Sequence, residues 1–238
     1  MRRVFTLAAG FLIVVSTELP ARADEPRPDT LKAQDVLDRL AKVYAGCKTY
    51  RDTGVVKTVF VEATGSWAVE KPFTTAFVRP DRFRFQYAET RGGLDHRFIV
   101  WRKGDEIRAW WTVKPGFEKR DSLELALAGA TGVSGGSAHT VPALLLPNEV
   151  GGRRLTDIAE ATRAEDATID TVNYFRIRGT FGDVPMTLWI DKNTFLVRRI
   201  DSTKTIGNFS TEETTTYDPV IDDEIPDESL EFDPAKAK

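Results

Sequence analysis

Apolar and polar residues alternate along most of this chain, and the clearest stretch is residues 72–87, two β-prone runs joined by a turn signal. With a period of two, Phe73, Thr75, Phe77 and Arg79 share one face of the first run. Phe83, Phe85 and Tyr87 share one face of the second, with Arg84 and Gln86 opposite. Pro80 lacks the N–H that a ladder needs, so Pro80 and Asp81 belong in the turn. The pattern predicts a β-hairpin with one aromatic face.

Upstream, Leu31, Val36, Leu37, Leu40, Val43 and Tyr44 recur at helical spacing up to Gly46, with Asp29 placed as N-cap. This predicts an amphipathic helix covering one face of a sheet. Strands are expected over 54–61, 67–79, 82–87, 96–102 and 107–113. Their short spacing favours an antiparallel meander, because parallel neighbours need crossovers of about a dozen residues. Alternation stops near Asp121. Residues 121–128 open like a capped helix, 132–137 read as a flexible loop, and 141–147 as a second apolar segment. Residues 121–147 are therefore either a helical lid or helices that fill the sheet's interior. Strands resume over 171–181, 185–190, 195–202 and 210–217, with a hairpin turn at 191–194. Residues 221–226 are acidic and extended, and 229–232 are expected to add an edge strand. The fold class is mainly β with helices. About nine or ten strands form a strongly curved antiparallel sheet, or incomplete β-barrel, covered by the amino-terminal helix and the central helical segment.

The first residues carry a different pattern. Arg2 and Arg3 precede an apolar run over 5–16, and Ala21-Arg22-Ala23 gives a small-x-small cleavage signal. Residues 1–23 are expected to be a signal peptide removed after Ala23, which places the mature domain, 24–238, in the periplasm. The apolar run falls short of the roughly 20 residues that span a bilayer. Arg2-Arg3-Val4-Phe5 partly resembles a twin-arginine signal, leaving the export route open. Loss of Arg2, Arg3, Arg22 and Glu18 takes the formal charge from −3 to −5, so no basic excess is available for nucleic acid. Cys47 is the one cysteine, which excludes an internal disulfide and makes a small buried side chain the expected role.

Catalytic chemistry finds little support. Gly132-Val133-Ser134-Gly135-Gly136 fits G-x-S-x-G, but no strand leads into it, and His139 is the only histidine downstream. His96 and His139 are the two histidines and cannot supply a histidine-rich metal site. Glu212 and Glu213 point to opposite faces of their strand, which makes them poor acid/base partners. The run Asp222-Asp223-Glu224 lacks calcium-loop spacing. No cofactor is expected and no reaction. The aromatic strand residues, Phe77, Phe83, Phe85, Trp101 and Trp111 among them, are either core or the lining of a greasy cavity.

At Val78-Arg79-Pro80-Asp81-Arg82-Phe83-Arg84-Phe85 the chain resembles the R-P-x-x-F-R/N-W stretch of the periplasmic lipoprotein carrier family LolA. The export signal, the first helix, Trp110-Trp111, the central helical segment and Leu230-Glu231-Phe232-Asp233-Pro234 follow in the same order. The stretch Thr187-Leu188-Trp189-Ile190-Asp191, continuing to Arg199, resembles a further exported branch of that superfamily. The resemblance implies a half-barrel with a lid over an apolar cavity that receives acyl chains. It also implies that Arg79 hydrogen-bonds the lid backbone. Phe85 stands where the family motif has tryptophan, and residues 121–147 are longer and richer in glycine. The expected function is a monomeric, non-enzymatic carrier or binding protein for a lipid or lipoprotein acyl chain. Its ligand-binding residues would be Phe77, Arg79, Phe83, Phe85, Trp101 and Trp111. The alternative is a sensor or interaction module that engages an inner- or outer-membrane protein or an envelope lipid signal.

Overall fold

The computed structural model describes residues 30–233, so the expected signal peptide and Asp29 lie outside the described residues. The first helix, α1 (Ala33–Gly46), buries Ala33, Val36, Leu37, Leu40 and Tyr44. Lys32 stands at its N-cap, and the Asp35 carboxylate accepts the Lys32 backbone N–H at 3.0 Å. The helix thus starts later than an Asp29 cap would place it, because Asp35 satisfies the first turn from within.

Six strands follow, β1 (Thr49–Glu62), β2 (Gly65–Val78), β3 (Arg82–Arg91), β4 (Leu94–Lys103), β5 (Glu106–Trp111) and β6 (Lys114–Lys119), each antiparallel to the next. The expected hairpin is β2–β3, with Phe77 opposite Phe83 and Thr75 opposite Phe85. Then come α2 (Leu123–Thr131) and α3 (Ser137–Leu145), which lie within the segment where alternation stops. The Ser122 side chain caps α2 by accepting the Leu125 N–H at 3.2 Å. The second half supplies β7 (Ala159–Ile169), β8 (Val172–Phe181), β9 (Val184–Asp191), β10 (Val197–Ile206), β11 (Phe209–Tyr217) and the short β12 (Val220–Ile221).

The twelve strands among the described residues lie in one antiparallel sheet of order β6-β5-β4-β3-β2-β1-β11-β10-β9-β8-β7, with β12 beside β1. The path does not close, and β6 and β7 are its free edges. The result is an open, curved antiparallel sheet with helices packed on one face. Burial of the aromatic and aliphatic side chains gathered there, each larger one worth roughly 1.5–3 kcal/mol, makes this face the main core. No helix among the described residues is long and apolar enough to cross a membrane.

Two expectations require correction. Strands β6 and β7 were absent from the pattern because both are polar edge strands with few apolar positions. Residues 229–232 do not form an edge strand. A 3-10 turn, Asp227–Ser229, leads instead into a segment that crosses the sheet's outer face. There the Leu230 carbonyl accepts the Trp101 indole N–H at 2.7 Å, and the Phe232 ring packs 5.3 Å from Trp110. Leu230 and Phe232 alternate as in a strand, but they are used to cover apolar residues of β4 and β5.

Candidate functional site

The inner face is built from cross-strand rows, and its two halves differ. On β2–β5 the rows are Phe73–Tyr87–Phe98–Trp111 and Thr75–Phe85–Val100–Ala109. Helices α2 and α3 settle on them, burying Leu123, Leu127, Val141, Leu144 and Leu145. Phe77, Phe83 and Phe85 are wholly buried in this packing. On β8–β11 the rows are Ile177–Leu188–Ile200–Thr215 and Gly179–Met186–Ser202–Glu213. Here the loop between α2 and α3 passes overhead, close enough at Gly135 that a Cβ would lie 2.7 Å from Val56 Cγ1. Gly135 also has φ 64°, so this crossing requires glycine.

Beneath that loop lies a cavity of about 260 Å³, walled by Leu155, Phe181, Val184, Met186, Ile200 and Tyr217. Polar groups in its lining include Thr131, His139, Thr140, Arg153, Ser202, Glu213 and Thr215. Glu213 Oε2 accepts the Thr58 hydroxyl at 3.0 Å, and burial raises the Glu213 pKa. Glu212 faces away and is exposed, as the alternation requires. A larger hollow of about 600 Å³ lies on the outer face over Thr53, Val55, Pro72, Thr74 and Thr216 and is an open trough.

Arg79 follows β2 and reaches two helix ends. Its Nε donates to Cys47 O at 2.7 Å, and Nη2 donates to Ala45 O at 2.7 Å, Leu145 O at 2.8 Å and Tyr44 O at 3.2 Å. The last carbonyls of a helix lack intrahelical partners and carry partial negative charge, which a guanidinium satisfies with several N–H groups at once. One side chain thereby ties the end of α1 to the end of α3. Arg102 Nη1 also donates to Glu149, just beyond α3. The carboxyl-terminal end of the central helical segment is thus held at two points.

Below these ties sits a buried polar cluster. The Tyr50 hydroxyl donates to Asp52 Oδ2 at 2.7 Å, and the Tyr44 hydroxyl accepts the Val197 N–H at 3.2 Å. Burial pushes the Asp52 carboxyl up from 3.8 to about 6, against the opposing pull of its hydrogen bonds.

The expected ligand residues do not gather around one void. Phe77, Phe83 and Phe85 are filled over by helices, and Trp111 lies beside Phe98, their ring centroids 6.0 Å apart, on the same inner face. Trp101 is one position out of phase with Val100 and therefore points to the outer face, under Leu230. Met186, Ile200 and Phe181 were missed as lining, and only the register across three strands, β8, β9 and β10, brings them together. Ser134, the centre of G-x-S-x-G, is buried and accepts the Ala138 N–H at 3.2 Å, which makes it a turn former. Among the described residues no three metal-ligating side chains cluster.

No family model and no curated protein matches the chain. Solved structures do. The chain is similar in fold to LolA superfamily proteins. They include NE2245 from Nitrosomonas europaea, 10% identical over 85% of this chain and 99% of that one, with a TM-score of 0.31. LprF from Mycobacterium bovis is 14% identical over 81% and 93% of the two chains, with a TM-score of 0.44. Pseudomonas aeruginosa MucB, solved with MucA, is 12% identical over 84% of this chain and 61% of the matched one, with a TM-score of 0.43. At these identities no residue role transfers.

Proposed function

We propose that this protein is a periplasmic carrier or binding protein for a hydrophobic ligand, a lipid or lipoprotein acyl chain. The carrying observation is the cavity between the α2–α3 loop and β8–β11, mostly apolar on its walls and roofed by a segment rich in glycine. Its volume, about 260 Å³, is close to the lower end of ordinary ligand pockets, roughly 300 Å³. Loading would gain roughly 0.8 kcal/mol for each methylene taken from water. Arg79 acts as the clasp that keeps α3 against α1, so that ligand enlarges the cavity from the loop side. The protein binds and releases without chemistry.

The test is native mass spectrometry of protein purified from the periplasm, with displacement of a fluorescent acyl probe as the quantitative arm. A bound acyl adduct in the wild type, lost when Ile200→Asp places a charge in the wall, supports the carrier. A clean apo mass with no probe uptake refutes it. A second reading, an interaction module, is favoured by one feature outside the cavity. At the tips of the β1–β2 and β10–β11 hairpins, Trp67 is 49% exposed and Ile206 61% exposed, beside Phe60 and Phe209. Retained function in Ile200→Asp together with its loss in Trp67→Ser would select that reading.

A further inference from the structure

We infer that the cavity takes a single-chain amphiphile with an anionic oxygen head group, held at the mouth by Arg153. This rests on the carrier reading above and adds the polarity of the ligand and the residue that recognises it.

Several arginines near the inner face are engaged by carbonyls or carboxylates. Arg79 donates to four backbone carbonyls, Arg102 meets Glu149, and Arg163 meets Asp166. Arg153 differs. It lines the cavity, is exposed, and has neither an acidic partner nor a carbonyl acceptor among the described residues. Its guanidinium lies over the Phe181 ring, 5.5 Å from the centroid, which holds the charged end against an apolar wall. A planar fork with free N–H groups beside a greasy surface suits the junction of a carboxylate or phosphate with an alkyl chain.

The loop that presents Arg153 is itself held. His139 Nε2 lies 2.8 Å from Gly151 O, so this ring nitrogen carries the proton and donates it to the carbonyl. Gly152 has φ 87°, and a Cβ there would approach the same Nε2 to 3.1 Å, so the packing of ring on loop requires glycine. His139 is thus a positioning residue for Arg153. Farther along the lining, Leu155, Met186 and Ile200 offer a path for the alkyl chain.

Glu213 is the carboxylate of the lining and argues against the opposite polarity. It lies under the Gly135 loop, where a Cβ on Gly135 would be 3.4 Å from its Oε2, and it already accepts the Thr58 hydroxyl. A cationic head at Glu213 would have to displace the loop and would leave Arg153 facing solvent.

The test uses the mature protein and four dodecyl probes: dodecanoate, dodecyl phosphate, dodecanol and dodecyltrimethylammonium, compared by displacement of a fluorescent acyl probe. At least one anion is expected to bind about tenfold tighter than dodecanol. Whether carboxylate or phosphate leads identifies the source of the oxyanion, and either supports the assignment. Arg153→Gln should abolish the ratio by which the anions outbind dodecanol, and Arg153→Lys should restore part of it. His139→Ala should reduce that ratio by a smaller factor. Equal binding of dodecanol and both anions overturns the inference while leaving the carrier intact. So does an anionic preference that survives Arg153→Gln, or a preference for the ammonium probe. Failure of all four probes to bind overturns the carrier reading itself.

Discussion

The two halves of the inner face share one sheet and one alternation of side chains, yet one is packed throughout, while the other, packed at Phe175, Ile177, Leu188, Ile190 and Val197, is hollow under the α2–α3 loop. On β2–β5 the inward rows carry Phe73, Phe77, Phe83, Phe85, Tyr87 and Phe98, and two helices settle on them. On β8–β11 the corresponding rows near the α2–α3 loop carry Met186, Ser202, Thr215 and Glu213, and a glycine-rich loop passes over them. Large rings at adjacent positions fill space up to the helices. A thioether, two hydroxyls and a carboxylate do not. The aromatic face therefore marks where this protein is stable, and the mixed face marks where it has room.

This contrast is sharpest in the cost of truncation. Phe85→Ala should cost about 3–5 kcal/mol by urea unfolding, because the helices above cannot collapse into the gap. Met186→Ala, on the hollow side, should cost less than about 2 kcal/mol, since its side chain already borders a cavity. Equal costs would remove the distinction between the halves.

Arg79→Leu tests what holds the helices on the solid side. Losing hydrogen bonds to four carbonyls at two helix ends should cost about 2–3 kcal/mol. It should also speed amide exchange in α3 more than in the strands beneath. Exchange that rises evenly across the domain would assign Arg79 a general structural role instead of a clasp.

Asp52 gives a pH handle on the same core. Its carboxyl is raised from 3.8 to about 6, so the folded state holds this proton more tightly than the unfolded chain does. The associated stability is complete below pH 3.8 and is lost as the pH rises through about 6. Asp52→Asn keeps an acceptor for the Tyr50 hydroxyl and should stabilise the protein by on the order of 2 kcal/mol at pH 7.5. The gain over wild type should vanish below pH 4. A gain that is independent of pH would refute this account of the site.

The smallest stability effect is expected from filling the hollow. Ser202→Leu should change stability by less than about 1 kcal/mol, because the added atoms occupy existing space. It should nevertheless reduce uptake of an acyl probe. A loss of several kcal/mol would mean that the space is not available.

How much of this could be read from the chain follows from the range of each signal. The β2–β3 hairpin and its inward aromatics were legible because alternation and the Arg79-Pro80-Asp81 turn are local. The capped start of a helix within residues 121–128 was legible for the same reason, and the structure assigns the cap to Ser122. The edges β6 and β7 were not. Lys114–Lys119 and Ala159–Ile169 are polar, as exposed sheet edges tend to be, and polarity hides the alternation. Leu230 and Phe232 carried the pattern of a strand without its pairing, because both cover the outer face. The cavity was beyond reach for a different reason. It depends on which residues of β8, β9, β10 and β11 share a row, and on a loop from the middle of the chain crossing above them.

The most direct measurement is photocrosslinking with a diazirine-bearing dodecanoic acid, followed by peptide mapping of the mature protein. Adducts are expected in peptides from β9, β10 and the α2–α3 loop, around Met186, Ile200 and Gly135, and their loss in Ser202→Leu. Adducts concentrated on Phe83 and Phe85 instead would contradict this, returning the ligand to the aromatic half and making the hollow under the loop incidental.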